Sequence, residues 1–219
     1  HALVKIREDM PMDRAALIGC STTTGVGAVF HTASVEPGSS VAVLGCGGVG
    51  LAAINGAAIA GAGMVIAVDM LDEKLEMAKA VGATHTVNAS SGNAVGEVIE
   101  LTHGGCDYTF EAIGLKATAE QAFQMLQNGG TATVIGMIPV GTMVELHGVD
   151  FLMEKKIQGS NMGSNRFRVD MPRFVDFYLN GKLHLDQMIS KHIQLSDVND
   201  ALNALKTGQE ARHVIMFDQ

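Results

Sequence analysis

Apolar positions in this chain fall into short runs separated by glycine-rich breaks, and the runs alternate in kind. Residues 41–44 are unbroken apolar sequence of strand length, a small-residue apolar segment of helical length follows, and residues 64–68 are apolar again up to Asp69. Such runs, without polar alternation, are how strands buried on both faces of a parallel sheet read. The rhythm then continues. It predicts a charged amphipathic helix over 72–81 stopped by Gly82-Ala83, a strand over 84–87, and a helix over 95–102 closed by Gly104-Gly105. Next come a strand over 108–113, a helix over 117–126 stopped by Gly129-Gly130, a strand over 131–135 and a sixth strand near 156–159. Strands alternating with helices in this way predict an α/β fold, a doubly wound parallel six-stranded sheet with helices on both faces.

The flanks read differently. Residues 10–13, MPMD, predict a turn with Asp13 capping a short helix over 14–17, and residues 19–27, GCSTTTGVG, a small-residue turn leading into a helix over 28–34. Glu36-Pro37-Gly38 ends that helix. Past residue 162 the pattern gives amphipathic helices over 172–180 and 196–205, the second closing at Gly208, and a short strand over 214–217. This tail is too small to bury a core of its own, so it must pack on the sheet domain or on something outside this chain.

The chemistry concentrates between residues 41 and 69. Gly45, Gly47 and Gly50 stand in G-x-G-x-x-G spacing between the first strand and its helix, and Asp69 follows Gly50 by nineteen residues. The first glycine permits the tight turn, the second lets backbone approach a pyrophosphate, and the third allows close helix–strand packing. The helix opening there aims unpaired N–H groups and its positive end at that pyrophosphate. An acid at the end of the second strand accepts hydrogen bonds from both ribose hydroxyls and repels a 2′-phosphate, which predicts NAD over NADP. Another adenosyl compound satisfies the same turn, and S-adenosylmethionine enzymes share the acid-on-ribose logic, so this stretch leaves that alternative open.

Composition narrows the partners. With 219 residues, 47% of them hydrophobic and 17% charged, the chain can bury a sizeable core. A net charge of −8 with no basic cluster argues against nucleic acid and anionic membrane. No apolar run reaches membrane-spanning length, the amino end has no leader character, and Cys20, Cys46 and Cys106 are widely spaced, as in reduced cytosolic proteins. A cytoplasmic protein is expected.

The segments LIGCSTTTGVG, VAVLGCGGVG, VIAVDMLDEKLEMAKAVGAT, DYTFEAIG, GGTATVIGM, KKIQGSNMG and ARHVIMF, in this order, resemble the carboxy-terminal portion of zinc-dependent medium-chain alcohol dehydrogenases, especially the class III-like bacterial branch. The resemblance implies a Rossmann domain over 22–161. It implies that residues 1–21 and 162–219 are flanking segments of an amino-terminal catalytic domain missing from this chain. It makes Cys20 one of three protein ligands of a catalytic zinc and places Thr24 against the nicotinamide ring. Gly45, Gly47, Gly48, Val49 and Gly50 become the pyrophosphate turn, and Asp69 and Lys74 the ribose contacts. Ile113, Ile135, Met137 and Met162 complete the cofactor contacts, and Arg212 pairs with the pyrophosphate. Leu115 stands where some relatives carry an arginine over the adenine, so adenine contact should be apolar.

The activity implied is oxidation of a primary alcohol or hydroxymethyl-thiol by hydride transfer to NAD, with an alcohol or aldehyde as the small-molecule partner. The resemblance also implies a homodimer joined along the sheet edge at residues 138–160. With one ligand of three, the chain alone is expected to be poor in zinc and inactive. The rival from another class is a stand-alone, non-catalytic NAD-binding module that dimerises. A third reading is a polyol or amino-alcohol dehydrogenase with the same cofactor half. On residue type alone, Cys20 reads as a buried thiol, Lys74 and Arg212 read equally well as solvated surface cations and as cofactor contacts, and His31, His85, His103, His147, His184, His192 and His213 read as structural or solvated.

Overall fold

The alternation of apolar runs and glycine stops produces one sheet. The computed structural model describes residues 3–205 and 212–217. Strands β1 (Ser40–Leu44), β2 (Met64–Asp69), β3 (His85–Asn88), β4 (Cys106–Glu111), β5 (Leu126–Val134) and β6 (Lys156–Gly159) run parallel in the order β3-β2-β1-β4-β5-β6. The chain winds outward from β1 in one direction and then from β4 in the other, so loops diverge between the carboxyl ends of β1 and β4 and leave a crevice there.

Helices cover both faces. They are α1 (Met12–Leu17), α2 (Thr23–Gly27), α3 (Gly48–Ala60), α4 (Asp72–Ala80), α5 (Ala94–Leu101), α6 (Lys116–Gln124), α7 (Phe167–Leu179) and α8 (Val198–Leu205). The period of two along β1 sorts the core: Val41 and Val43 pack toward α2, α3 and α7, whereas Ala42 and Leu44 pack toward α5 and α6. Asn55, 1% exposed in α3, accepts from the His184 N–H at 2.8 Å and donates to the Lys182 carbonyl at 3.2 Å. That pair of bonds docks the tail on the sheet domain, where Phe174, Val175, Leu183 and Leu185 join the same core.

Four expectations need correction. Residues 19–27 are not a turn: helix continues without a break from α1 through a π-helical stretch at Ile18–Thr22 into α2 and a second at Ala28–Thr32. Gly25 and Gly27 serve packing rather than turning. A Cβ on Gly25 would sit 2.7 Å from both the Ala53 nitrogen and the Ala52 Cβ, so the glycine lets α2 press on α3. Asp13 is not a cap: Pro11 holds that position, and Asp13 instead pairs with Arg14 and with His192, the latter at 2.9 Å. Helix α7 begins at Phe167 rather than 172, because the Asp170 carboxylate accepts the Arg166 N–H at 2.7 Å and satisfies the first turn. Strand β5 begins at Leu126, with the pair Gly129-Gly130 absorbed in an irregular register against β4.

The tail also forms a strand that the pattern did not mark, β7 (Lys191–Ile193), paired in parallel with β8 (His213–Ile215). Gly208, the predicted stop of the last helix, lies outside the described residues. Among the described residues no helix is long and apolar enough to cross a membrane.

Candidate functional site

At the carboxyl end of β1 the glycine turn is built as its spacing predicts. Gly45 has φ +93°, a left-handed conformation that favours glycine, and its N–H donates to the Val68 carbonyl at 2.8 Å. Gly47 precedes α3 with open space where a side chain would project. Gly50 presses its backbone on the turn, since an added Cβ would fall deep inside contact with the Gly45 carbonyl oxygen and 2.8 Å from its carbon. The glycines of the turn therefore put no side chain of their own between the amino end of α3 and the crevice.

Two charged residues from distant parts of the sequence converge on this turn. The Asp69 carboxylate accepts the Cys46 N–H at 2.7 Å and the Leu71 N–H at 3.1 Å, so the acid at the tip of β2 also braces the turn. Arg212, just before β8, lays its guanidinium over Gly48: an added Cβ there would stand 2.8 Å from the Arg212 Cζ and Nη2. A cation so placed at a helix amino end has electrostatics suited to a diphosphate. Lys74 is 5% exposed in the first turn of α4 and is therefore not a solvated helix lysine. Its charge acts on the Cys46 thiol, which burial, and then Asp69, push well above the usual thiol range.

Across the crevice, Ile113 packs on Gly45 while remaining 48% exposed, and Leu115 is 53% exposed. These side chains give an apolar wall with no cation in it. The loop carrying them is organised by Glu111, fully buried at the end of β4. Its Oε1 accepts from the Ile113 N–H (2.9 Å), the Gly114 N–H (2.7 Å) and the Thr118 hydroxyl (2.7 Å), and its main-chain oxygen accepts from Ile135 (2.8 Å) and Gly136 (3.0 Å). Met137 follows, its backbone against Gly114 and its side chain exposed. Sequence reasoning missed Glu111. The signal was a carboxylate closing an otherwise uncharged run, TFE, at a strand's carboxyl end.

Thr24, Met162 and Cys20 lie on the other side of the α2–α3 packing. The Thr24 hydroxyl contacts the Met162 sulfur at 3.6 Å. Val49, in the first turn of α3, turns its carbonyl to Gly25 and so ties this region to the glycine turn. Cys20 is exposed, whereas Cys46 and Cys106 are buried, burial pushing Cys106 up to about 12. Cys20 shares a cavity of about 360 Å³ with Leu17, Ser21, Arg212 and Val214. A larger apolar groove of about 930 Å³ runs alongside, lined by Ile18, Gly19, Met162, Phe167, Val169 and Met171.

The turn, the acid and the arginine fit a dinucleotide. A catalytic zinc takes three protein donors, and among the described residues no group of three His, Cys, Asp or Glu side chains is arranged so that it could hold a metal ion. Cys20 alone does not make that site.

The sequence profile of zinc-binding dehydrogenases matches residues 48–180. The chain belongs to that family. It is 36% identical over 224 residues to S-(hydroxymethyl)glutathione dehydrogenase of Paracoccus denitrificans, an alignment covering 99% of this chain and 60% of that protein. Benzyl alcohol dehydrogenase of Acinetobacter calcoaceticus superposes with a TM-score of 0.95 at 31% identity, over 98% of this chain and 59% of that one. A zinc-binding dehydrogenase of Sinorhizobium meliloti 1021, bound to NADP, gives 0.86 at 28% identity, over 97% and 61%. The chain thus spans about 60% of the length of the relatives it matches. The family assignment and the six-stranded Rossmann sheet agree with the resemblance read from the motifs.

Proposed function

We propose that this chain is the NAD-binding part of a zinc-dependent alcohol dehydrogenase. The observation that carries the reading is the convergence of Arg212 and Asp69 on the open end of α3. In this reading the α3 N–H groups and Arg212 hold the pyrophosphate, and Asp69 takes the adenosine ribose with the lone pairs left on the two oxygens that already accept from Cys46 and Leu71. Lys74 lies in the turn behind it, and Ile113 and Leu115 offer the adenine an apolar wall. Backbone groups of Ile135, Met137 and Met162 hold the carboxamide while Thr24 sets the ring face.

NAD, when bound, supplies the hydride acceptor. The chain's own residues bind it, orient it, and present the 930 Å³ apolar groove beside Met162 to a substrate's carbon skeleton. A primary alcohol or hydroxymethyl-thiol suits that groove, consistent with the activities named for two of the relatives. Residues 1–21 and 162–219 are the segments that would border a catalytic domain, and Cys20 is the zinc donor this chain would contribute to it. Thr24 is the residue closest to the chemistry.

A second reading is a non-catalytic NAD-binding dimer, which shares the sheet-edge pairing expected of the enzyme. Beside edge strand β6, Met137 (91%), Val140, Met143, Val149 and Leu152 (79%) expose apolar side chains, a surface suited to a second copy. The test is equilibrium binding of NADH and NADPH to the chain, followed by alcohol-dependent NADH formation with zinc and an amino-terminal zinc-binding domain of the family added in trans. Tighter NADH binding supports the cofactor reading, and equal or reversed affinities sink it. Turnover separates the enzyme from the binding module.

A further inference from the structure

The end of the site that faces the apolar groove rests on a loop that the backbone does not choose unaided. Met162, Gly163 and Ser164 have φ of 51°, 68° and 52° in succession. Non-glycine residues are disfavoured in the left-handed region, so the surroundings must hold this loop in place. Asn165 is what holds it. Its Nδ2 donates to the Met162 carbonyl at 2.7 Å, closing the left-handed turn on itself, and to the Thr23 carbonyl at 2.7 Å. Both acceptors are carbonyls, so the amide must present nitrogen, not oxygen, to them.

The second bond fastens the loop to the helix one residue before Thr24, and so fixes the approach of Met162 sulfur to the Thr24 hydroxyl. The seat for this amide is built in advance. A Cβ on Gly27 would sit 2.7 Å from the Asn165 Cγ and 2.6 Å from the Gly163 carbonyl oxygen. One on Gly163 would sit 2.5 Å from the Thr23 carbonyl oxygen and 2.6 Å from the Asn165 Nδ2. Thr32, at the end of the second π-helical stretch, adds hydroxyl contacts of 2.8 Å to both Ser160 and Ser164.

We propose that Asn165 is a positioning residue for the nicotinamide half of the dinucleotide, acting through Met162 and Thr24 and leaving the ADP-ribose half untouched. The inference rests on the NAD reading above. The two hydrogen bonds that Asn165 donates go to Thr23 and Met162, not to the residues assigned to ADP-ribose.

The experiment compares the binding of NADH with that of ADP-ribose, which lacks the nicotinamide, in the full chain and in Asn165→Ala and Asn165→Asp. The aspartate keeps the shape and removes the donor. NADH should weaken about ten-fold in both variants, the scale of a lost hydrogen bond plus an unpaired carbonyl. ADP-ribose should change less than two-fold, which also shows that the variants fold. Equal losses for the two ligands, or no loss for either, overturn the positioning role. If the unmodified chain binds neither ligand, the cofactor reading and this role fall together. If it binds both and the ratio survives in the variants, Asn165 alone is refuted.

Discussion

Asp69 carries two loads, and replacing it separates them. Its carboxylate accepts one N–H from the glycine turn and one from Leu71, at 2.7 and 3.1 Å, and in the proposed function it also takes the ribose hydroxyls. Asp69→Gly deletes all of these. A hydrogen bond to a charged acceptor is worth ~1.5–3 kcal/mol, and Asp69 is only partly buried, so the two backbone bonds together account for about 2–4 kcal/mol of stability. Asp69→Asn keeps an oxygen for one N–H and turns an NH2 toward the other, so it should lose about half of that. Selectivity moves separately. Both variants remove the negative charge that repels a 2′-phosphate, and the NADH:NADPH affinity ratio should fall by ~1–3 kcal/mol, roughly five- to hundred-and-fifty-fold. Nicotinamide fluorescence titration gives the ratio and urea melts give the stability. A ratio unchanged in Asp69→Asn, with the fold intact, would refute the ribose role and leave Asp69 as a brace of the turn only.

Gly50→Ala should abolish measurable NADH binding and lower stability by ~1–3 kcal/mol, because the new methyl collides with the Gly45 carbonyl and not with a movable side chain; a variant that binds NADH normally would contradict the turn geometry. Arg212→Ala should weaken NADH about ten-fold with little loss of stability, since the guanidinium is partly exposed and lies over Gly48; unchanged titrations would return Arg212 to the surface. Asn55→Ala strands the Lys182 carbonyl and the His184 N–H and should cost ~2–3 kcal/mol in a single urea transition; a separate tail transition would show that the tail folds apart. Asp170 gives the pH dependence. Burial alone would raise its pKa, but the Arg166 N–H and guanidinium and His31 hold it below the usual carboxylate value. A depressed folded pKa stabilises above the unfolded value of about 4 and loses that stabilisation as pH falls through the folded one. Asp170→Asn should therefore flatten the acid limb of a stability–pH curve below pH 4, and an unaltered limb would assign acid sensitivity elsewhere.

The sheet was legible because burial on both faces writes itself as uninterrupted apolar runs, and β1 and β2 stand within a residue of where those runs lie. The glycine turn and Asp69 were legible because their chemistry depends on spacing along one βαβ unit. What was hidden depends on elements far apart in sequence. GCSTTTGVG reads as a turn because small residues are poor helix formers, yet it is helical because α3 offers a groove that only glycine lets it enter. Strand β7 is three residues long and exists by virtue of β8, so no local pattern announces it.

The same distinction runs through the site. Arg212 was indistinguishable from a surface arginine by type, and its position over Gly48 follows from β8 pairing with β7 and from Asn55 docking the chain leading to β7. Glu111 and Asn165 carry no motif because each works on backbone groups, which every sequence has: Glu111 gathers N–H donors at the end of β4, and Asn165 gathers carbonyl acceptors beside Thr24. One amide thereby holds a loop with two non-glycine residues at positive φ, and one carboxylate holds the loop that bears Ile113. The motif residues present the surface that a dinucleotide would touch. These two side chains set where the two ends of that surface stand relative to each other, which is why substituting Asn165 should alter the balance between the halves of the ligand.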